Sequence, residues 1–394
     1  MKGGRKAALP DGQLGGLMPG KMPHIIAFVP LILTCILVLL GFFSGPATRR
    51  RWWTVSLVTF LCAALDALML MALPRLGLSY GTIDFPLAGL NSIRLAVLVS
   101  CLLIFSFFKS SQKLPHVVTV TGITIQIILL ALAVDGLYIE PFHLTVSQVR
   151  QEAPAFLPDR PLRIIQLSDL HVERITLRER AMIEKVNELH PDIIVLTGDY
   201  LNQEYLDDPV ALEEARTVLM QLSAPYGVYA VSGTTDLPEI MTGLFTGLDN
   251  IRVLGNEIAP VMLPGGTLYL VGVTHHWTLE TDQQALADLL AQSPTDRYYV
   301  LLYHTPDLIE TAAANHVSLY FAGHTHGGQI RLPFYGAIVT LSIYHKQYEM
   351  GEYHVGPTTL YVSRGIGMEG LGLPRIRFLC PPEIVVMDLA PLLK

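Results

Sequence analysis

The sequence predicts an α/β (α+β) domain preceded by an α-helical bundle of four transmembrane helices. Three observations carry that prediction: charge is spread unevenly along the chain, long apolar stretches crowd into its first part, and short β-branched runs alternate with amphipathic segments through the rest. Of 394 residues, 51% are hydrophobic and only 15% charged. Residues 1–140 hold 11 Lys/Arg against 5 Asp/Glu, a balance of +6, whereas the remaining 254 hold 16 against 29, a balance of −13. A uniform soluble enzyme does not fit the first part. A pure transporter does not fit the second, which is long enough and charged enough to bury a globular core. Neither part gathers basic residues as contact with a phosphate backbone requires, so nucleic acid is excluded as a partner.

Residues 1–23 read as a polar tail and 24–138 as the transmembrane domain. The apolar stretches His24–Phe43, Trp53–Leu73 and Val117–Tyr138 each approach the roughly 20 residues that cross a hydrocarbon core. A further span runs from Pro86 to Phe108 and carries Asn91 and Arg94 near its start. A cleaved signal peptide is the rival reading of the first stretch, but Arg49–Arg51 and three more spans follow it directly, which favours an uncleaved helix. Trp52 and Trp53 fall where an interfacial aromatic belt is expected. Asp66 and Arg94 reach similar depth if their spans are antiparallel neighbours, and a charge in hydrocarbon needs a partner, so the two are expected to pair as glue between helices. Asp135 lies close enough to a span end to reach the interface. The short loops 44–52 and 108–116 hold five basic residues and no acid, which puts the globular half outside the cytoplasm; Lys2, Arg5, Lys6 and Lys21 pull the other way. Cys35, Cys62 and Cys101 sit in apolar stretches, leaving Cys380 alone in the polar half without a partner for an internal disulfide.

Residues 139–161, with Pro at 141, 154, 158 and 161, read as a linker containing a short strand within His143–Val149, and 162–394 as the globular domain. Leu162–Leu167, a helical Leu177–Leu189 and Ile193–Leu196 make a β-α-β unit. Apolar runs at Val228–Val231, Leu268–Val273, Tyr298–Tyr303 and Leu319–Ala322 then alternate with expected helices at Asp208–Leu222, Leu237–Phe245, Thr281–Ala291 and Pro306–Ala314. Thr359–Val362 and Ile384–Met387 read as late strands and suggest a second sheet.

The chemistry follows the strands. Leu167 precedes Ser168-Asp169-Leu170-His171; Leu196 precedes Thr197-Gly198-Asp199; Val231 precedes Ser232-Gly233-Thr234-Thr235-Asp236; Tyr303 precedes His304; Ala322 precedes Gly323-His324-Thr325-His326-Gly327-Gly328. Ligands of α/β sheets gather beyond the carboxyl ends of strands, so these segments should meet at one edge. A lone Asp there is ordinarily a cap and a lone His a satisfied polar group. Their combined order argues instead for a metal set: Asp169, His171, Asp199, His304, His324 and His326 are two carboxylates and four imidazoles, suited to manganese, iron, cobalt or zinc. Six donors exceed one tetrahedral site and fit two divalent metal ions sharing a carboxylate, an arrangement that holds a phosphoryl group between cations. Gly327 and Gly328 read as a turn bringing loop atoms near the metals, and His275, His276, His345 and His354 as structural or surface residues.

These segments, with Ser363-Arg364-Gly365-Ile366-Gly367 and Pro381-Pro382-Glu383-Ile384, resemble the calcineurin-like metallophosphoesterases over Leu162 to Asp388. The resemblance implies a four-layer αββα sandwich. It also implies that Asp169, His171 and His326 hold one metal, that Asp199 bridges, and that His304 and His324 hold the other. The amino-terminal spans look like those of membrane-anchored bacterial members, some of which act on envelope lipids or nucleotide-linked lipid precursors, implying a bacterial cell membrane.

One departure stands out. Where the family has Gly-Asn-His-Asp this chain has Gly233-Thr234-Thr235-Asp236, so Thr234 replaces an amide ligand and Thr235 the imidazole that assists phosphate chemistry. Asp199, Asp236 and the variant position Thr235 are the residues on which catalysis would turn. A hydroxyl is shorter and a poorer neutral ligand than an amide carbonyl, and loss of a general acid costs about 10²–10⁴-fold in rate. Acidic leaving groups suffer least. The reading is metal-dependent hydrolysis of a phosphoester or pyrophosphate by a membrane-tethered domain acting on a phosphorylated small molecule or a lipid-linked phosphate. Its alternative is a catalytically degenerate metal- or phospholipid-binding membrane protein.

Overall fold

The computed structural model describes residues 24–40, 46–107, 113–369 and 375–391. They divide into one unit of residues 24–73 and 81–132 and another of 74–80, 133–369 and 375–391.

The first unit is helical: α1 (His24–Leu40), α2 (Pro46–Arg75), α3 (Asp84–Phe107) and α4 (Lys113–Val134). Among the described residues three helical stretches are long and apolar enough to cross a membrane, Arg49–Arg75, Asp84–Phe107 and Leu114–Phe142. The expected count of four is thus corrected. Helix α1 has 17 residues, about 26 Å at the α-helical rise against a core of about 30 Å, and the expected end at Phe43 lies outside the described residues.

The unit turns large apolar side chains outward and buries a few polar ones within an otherwise apolar interior, as a lipid solvent allows. Leu39, Leu68, Leu103 and Ile127 are exposed, whereas Asp66, Asn91, Arg94 and Gln126 are buried. The expected pair is present. The Arg94 guanidinium meets both Asp66 oxygens, with Nη2 donating to Oδ1 at 2.8 Å. Its Nη1 donates to the Gln126 carbonyl at 2.8 Å and to Gln126 Oε1 at 3.1 Å, so α4 supplies a third member absent from the sequence expectation.

The second unit holds two six-stranded sheets. The first comprises β1 (Thr145–Glu152), β2 (Leu162–Leu167), β3 (Ile193–Leu196), β4 (Val228–Ala230), β5 (Ile251–Val253) and, from the end of the chain, a strand at Glu383–Ala390. The second comprises β6 (Glu257–Leu263), β7 (Gly266–Gly272), β8 (Tyr299–Leu302), β9 (Leu319–Ala322), and strands at Gly351–Val355 and Thr358–Val362. Between β9 and these come the two-residue strands β10 (Arg331–Leu332) and β11 (Gly336–Ala337), so the last three strands are β12, β13 and β14 in chain order. The orders are β1-β14-β2-β3-β4-β5 and β12-β13-β9-β8-β7-β6, with β2 to β5 and β7-β8-β9-β13 parallel.

Period-two alternation sorts the strand residues between separate cores. Ile165, Leu167, Ile194 and Leu196 pack against α5 (Leu177–Leu189), α6 (Pro209–Leu219) and α7 (Pro238–Phe245). Ile164, Ile193 and Val195 pack with Leu268, Leu270, Val300, Leu302 and Phe321 in a core shared by both sheets. Val271, Leu301 and Tyr320 pack against α8 (Leu279–Ala291) and α9 (Ile309–Ala314). Such strands are covered on both faces, which is why they read as unbroken apolar runs. The expected linker strand is β1, paired with β14 along eight residues.

Candidate metal centre

The pairing of β2 with β3 continues past both strands. Asp169 N donates to Gly198 O, His171 N to Asp199 O and Val172 N to Tyr200 O, at 2.9–3.0 Å. Gly323 N donates to His304 O at 2.7 Å and joins the ends of β8 and β9 in the same way. The chain then turns sharply at the polar residues. Asp169, His171, Asp199, His324 and His326 all have left-handed backbones, φ 41–69°, a conformation that costs about 1–3 kcal/mol for a residue with a side chain and clusters at functional sites. Glycine is required where these turns touch: a Cβ on Gly233 would overlap Asp199 Oδ1, and one on Gly198 would stand 2.6 Å from Gly233 Cα.

The structure brings the six expected residues together in two groups: Asp169, His171 and His326, then Asp199, His304 and His324, each with donor atoms within 4.8 Å of one another. All but the half-buried His324 are buried. The Nε2 atoms of His171 and His326 face each other at 3.0 Å with rings stacked, and both Nδ1 atoms lack a hydrogen-bond partner among the described residues. One proton at most fits between such a pair, so at least one lone pair points into the site. His326 Nε2 lies 3.5 Å from Asp169 Oδ1, and His171 Nε2 3.8 Å from Asp199 Oδ2. His304 Nδ1 bonds the Thr197 carbonyl at 2.6 Å, which turns Nε2 toward Asp199 Oδ2 at 3.1 Å without the alignment of a hydrogen bond.

Protonation follows this crowding. Burial lowers the His304 imidazole, but Asp199 and Asp169 outweigh it and push it up to about 10. Asp199 is raised by burial yet held well below the carboxylate range by His304, His171 and the Thr235 amide. Burial and the neighbouring His304 push His324 down to about 4. Carboxylates that draw positive charge onto His304, beside two imidazole nitrogens that face each other, fit bound divalent cations.

Both threonines address Asp199. Thr234 Oγ1 donates to its Oδ2 at 2.9 Å, while Thr235 N and Oγ1 donate to Oδ1 at 2.8 and 3.1 Å. Asp236 accepts from three buried amides, Asp199 N at 2.6 Å, Gly233 N at 2.8 Å and Tyr200 N at 3.1 Å, so it clamps the loop that presents Asp199. Burial and the Asp199 charge push its carboxyl up to about 7.

One residue escaped the sequence reading. Glu369 Oε2 stands 3.6 Å from His171 Nε2, and Glu369 forms a third donor group with His171 and Asp199. It follows no strand and so carried no signal beyond its closeness to Gly367. His275, expected to be structural or on the surface, has its ring 6.2 Å from that of His304, and its Nδ1 lies 3.1 Å from Tyr303 Oη, which donates to Asp282 Oδ2 at 2.6 Å. The turn at Gly327 and Gly328 is present, but their close approaches are to Cys380 and Ala337 rather than toward the donors.

A model of the calcineurin-like phosphoesterases matches residues 162–328, from β2 through the last histidine motif. A metallophosphoesterase of Bacillus subtilis strain 168, YkuE, is 34% identical over 245 residues, covering 58% of this chain and 78% of that protein. The chain belongs to the calcineurin-like phosphoesterase family. This phosphoesterase, a hydrolase of phosphoric esters or anhydrides, is also similar to the phosphodiesterase YaeI of Escherichia coli K12, 29% identical over 60% of this chain and 85% of that one. The UDP-2,3-diacylglucosamine pyrophosphatase LpxG of Chlamydia trachomatis is 26% identical, over 64% of this chain and 90% of its own length.

Proposed function

We propose that this phosphoesterase cleaves a phosphodiester or pyrophosphate bond of a lipid-linked substrate at a centre of two divalent cations. The observation that supports it most is the convergence of six donors from four strand ends, with the Nε2 atoms of His171 and His326 facing each other at 3.0 Å. Asp169, His171 and His326 would hold one cation, His304 and His324 the other, and Asp199 both. Glu369 adds a seventh donor beside His171. The cations, manganese, iron, cobalt or zinc, would supply Lewis-acid polarisation of the phosphoryl oxygens in a domain whose own charge repels anions.

The chain's own residues do the rest. Asp236 fixes the backbone of Asp199, and Thr234 offers a neutral hydroxyl oxygen beside it. Thr235 has no imidazole with which to protonate a departing alkoxide, so the leaving group must be acidic in its own right, as a phosphate or nucleotide is. A pyrophosphatase among the relatives, and helices able to cross a membrane, support a lipid-linked substrate. The same helices would anchor the αββα domain, on the extracytoplasmic side by the loop charges.

The second reading, a metal-binding protein with little turnover, is favoured by the two threonine hydroxyls directed at Asp199. Hydrolysis by the purified full-length protein with manganese separates the two, using an activated aryl phosphate diester and a nucleoside-diphosphate lipid. Rates above those of an Asp199→Asn control support the enzyme reading, and rates equal to the control refute it. A gain on combining Thr234→Asn with Thr235→His marks a weakened but intact site.

A further inference from the structure

We propose that the segment from Arg331 to Lys346 is a membrane-docking strip that seats the mouth of the metal centre on an anionic bilayer. Leu332, Phe334, Tyr335, Ile338, Val339, Leu341 and Ile343 are all exposed large apolar side chains, crowded into twelve consecutive residues. A soluble surface scatters such residues singly, and a contiguous set marks a binding face.

The strip is built rather than loose. Glu349 receives Arg331 Nη2 at 2.8 Å and Ala337 N at 3.1 Å, and Arg331 Nη1 donates to the Gly327 carbonyl at 2.7 Å, which ties β10 and β11 to the last histidine motif. Farther along, Asp307 accepts Ser342 Oγ at 2.6 Å and Ile343 N at 3.3 Å. Its backbone is therefore pinned while its apolar side chains face outward. The strip also touches the centre, with His324 Nε2 3.4 Å from the Leu341 carbonyl.

Charge selects the occupant. The domain carries an excess of acid, yet residues 329–348 contain no Asp or Glu, and with Arg331 paired to Glu349 the basic charge of the strip is that of Lys346. Lys346 Nζ lies 3.5 Å from the centroid of the Tyr335 ring. Aromatic and aliphatic side chains flanked by a basic residue are the composition of an element that lies in the headgroup region of anionic lipid. The same chain has helices able to cross a membrane, so bilayer is the apolar phase within reach. Docking of this kind would deliver phosphate carried on a lipid to His324 without its leaving the membrane. That consequence for substrate rests on the phosphoesterase reading, whereas the docking itself does not.

The test uses full-length protein in vesicles of phosphatidylcholine and phosphatidylglycerol. Phe334→Trp is introduced and its emission taken as the difference from wild type. Blue-shifted difference emission, quenched by lipids brominated on their acyl chains, supports the strip. Difference emission typical of water and quenched by iodide overturns it, as does shielding from both quenchers with cross-linking between copies at this position, which would make the face a self-association surface. Phe334→Ser should lower the ratio of kcat/KM on a lipid-embedded pyrophosphate to that on the soluble aryl diester by about tenfold, the partitioning of one aromatic side chain. An unchanged ratio overturns the delivery role. Lipid quenching in a protein with no hydrolytic activity would sink the phosphoesterase reading and leave the docking intact.

Discussion

Replacing Asp236 by Ala tests whether the metal centre is held in shape by the backbone beneath it. The carboxylate is buried and accepts three amides, from Asp199, Tyr200 and Gly233. Removing it orphans all three donors in a closed space, at about 1–3 kcal/mol each; the low end alone gives about 3 kcal/mol. For a domain of this size that lowers the melting midpoint by about 6–12 °C. Asp199 would also lose the bond that fixes its own amide, and loss of such support commonly weakens metal binding about 10–100-fold. Both effects are read on full-length protein in detergent, by near-UV circular dichroism during heating and by calorimetric titration with manganese. Asp236→Asn, which keeps one acceptor oxygen, should fall between. A melting midpoint within about 2 °C of wild type for the Ala variant would refute the clamp.

Glu369→Gln should weaken binding of the first manganese equivalent by about tenfold or more while leaving the metal-free melting midpoint in place; unchanged affinity removes Glu369 from the donor set. Asp66→Asn and Arg94→Gln should each destabilise the helical unit by about 3–5 kcal/mol and the double variant by less than their sum, since breaking a buried pair strands a charge. Unfolding in mixed micelles measures the cycle, and a harmless Asp66→Asn ends the pairing argument. Glu383 is raised by burial but held below its ordinary value of 4.5 by Arg364 and Ser147. Its folded pKa is therefore depressed, so the stability it contributes is complete above about pH 4.5 and drains away as pH falls through the folded value. Urea midpoints from pH 6 to 3 should drop more steeply in wild type than in Glu383→Gln, and parallel curves would contradict this.

The strand ends were legible because three constraints coincide there. Strands covered on both faces must be continuously apolar, parallel order needs helices between them, and a polar group immediately after an apolar run has few uses other than a cap or a site. Asp169 through His326 satisfy all three. Glu369 satisfies none of them. It reaches His171 because the segment after β13 folds back, with Ile366 N on Ser168 O and Gly367 N on Asp169 O, and because Arg377 is buried and donates to the carbonyls of Arg364, Gly365 and Gly367. An arginine bonded only to backbone leaves no periodicity to read. In the helical unit Asp66 and Arg94 announced themselves by charge, while Gln126, being neutral, did not.

The third carboxylate bears on which phosphates suit the proposed centre. Two divalent cations held by Asp169 and Asp199 alone would retain two net positive charges; with Glu369 added, one remains. A phosphodiester carries one negative charge at neutral pH and a phosphomonoester close to two, so the site with Glu369 matches the diester. Thr235 points the same way for an independent reason, since without an imidazole at that position the departing oxygen must tolerate its own charge. Diesters with an acidic leaving group meet both conditions and a disubstituted pyrophosphate, with one charge on each phosphoryl group, meets the second, whereas an alkyl phosphomonoester meets neither. If Glu369→Gln raised kcat/KM for an aryl monoester relative to the aryl diester, charge matching would be the cause. If both substrates changed in proportion, Glu369 would act through metal affinity alone.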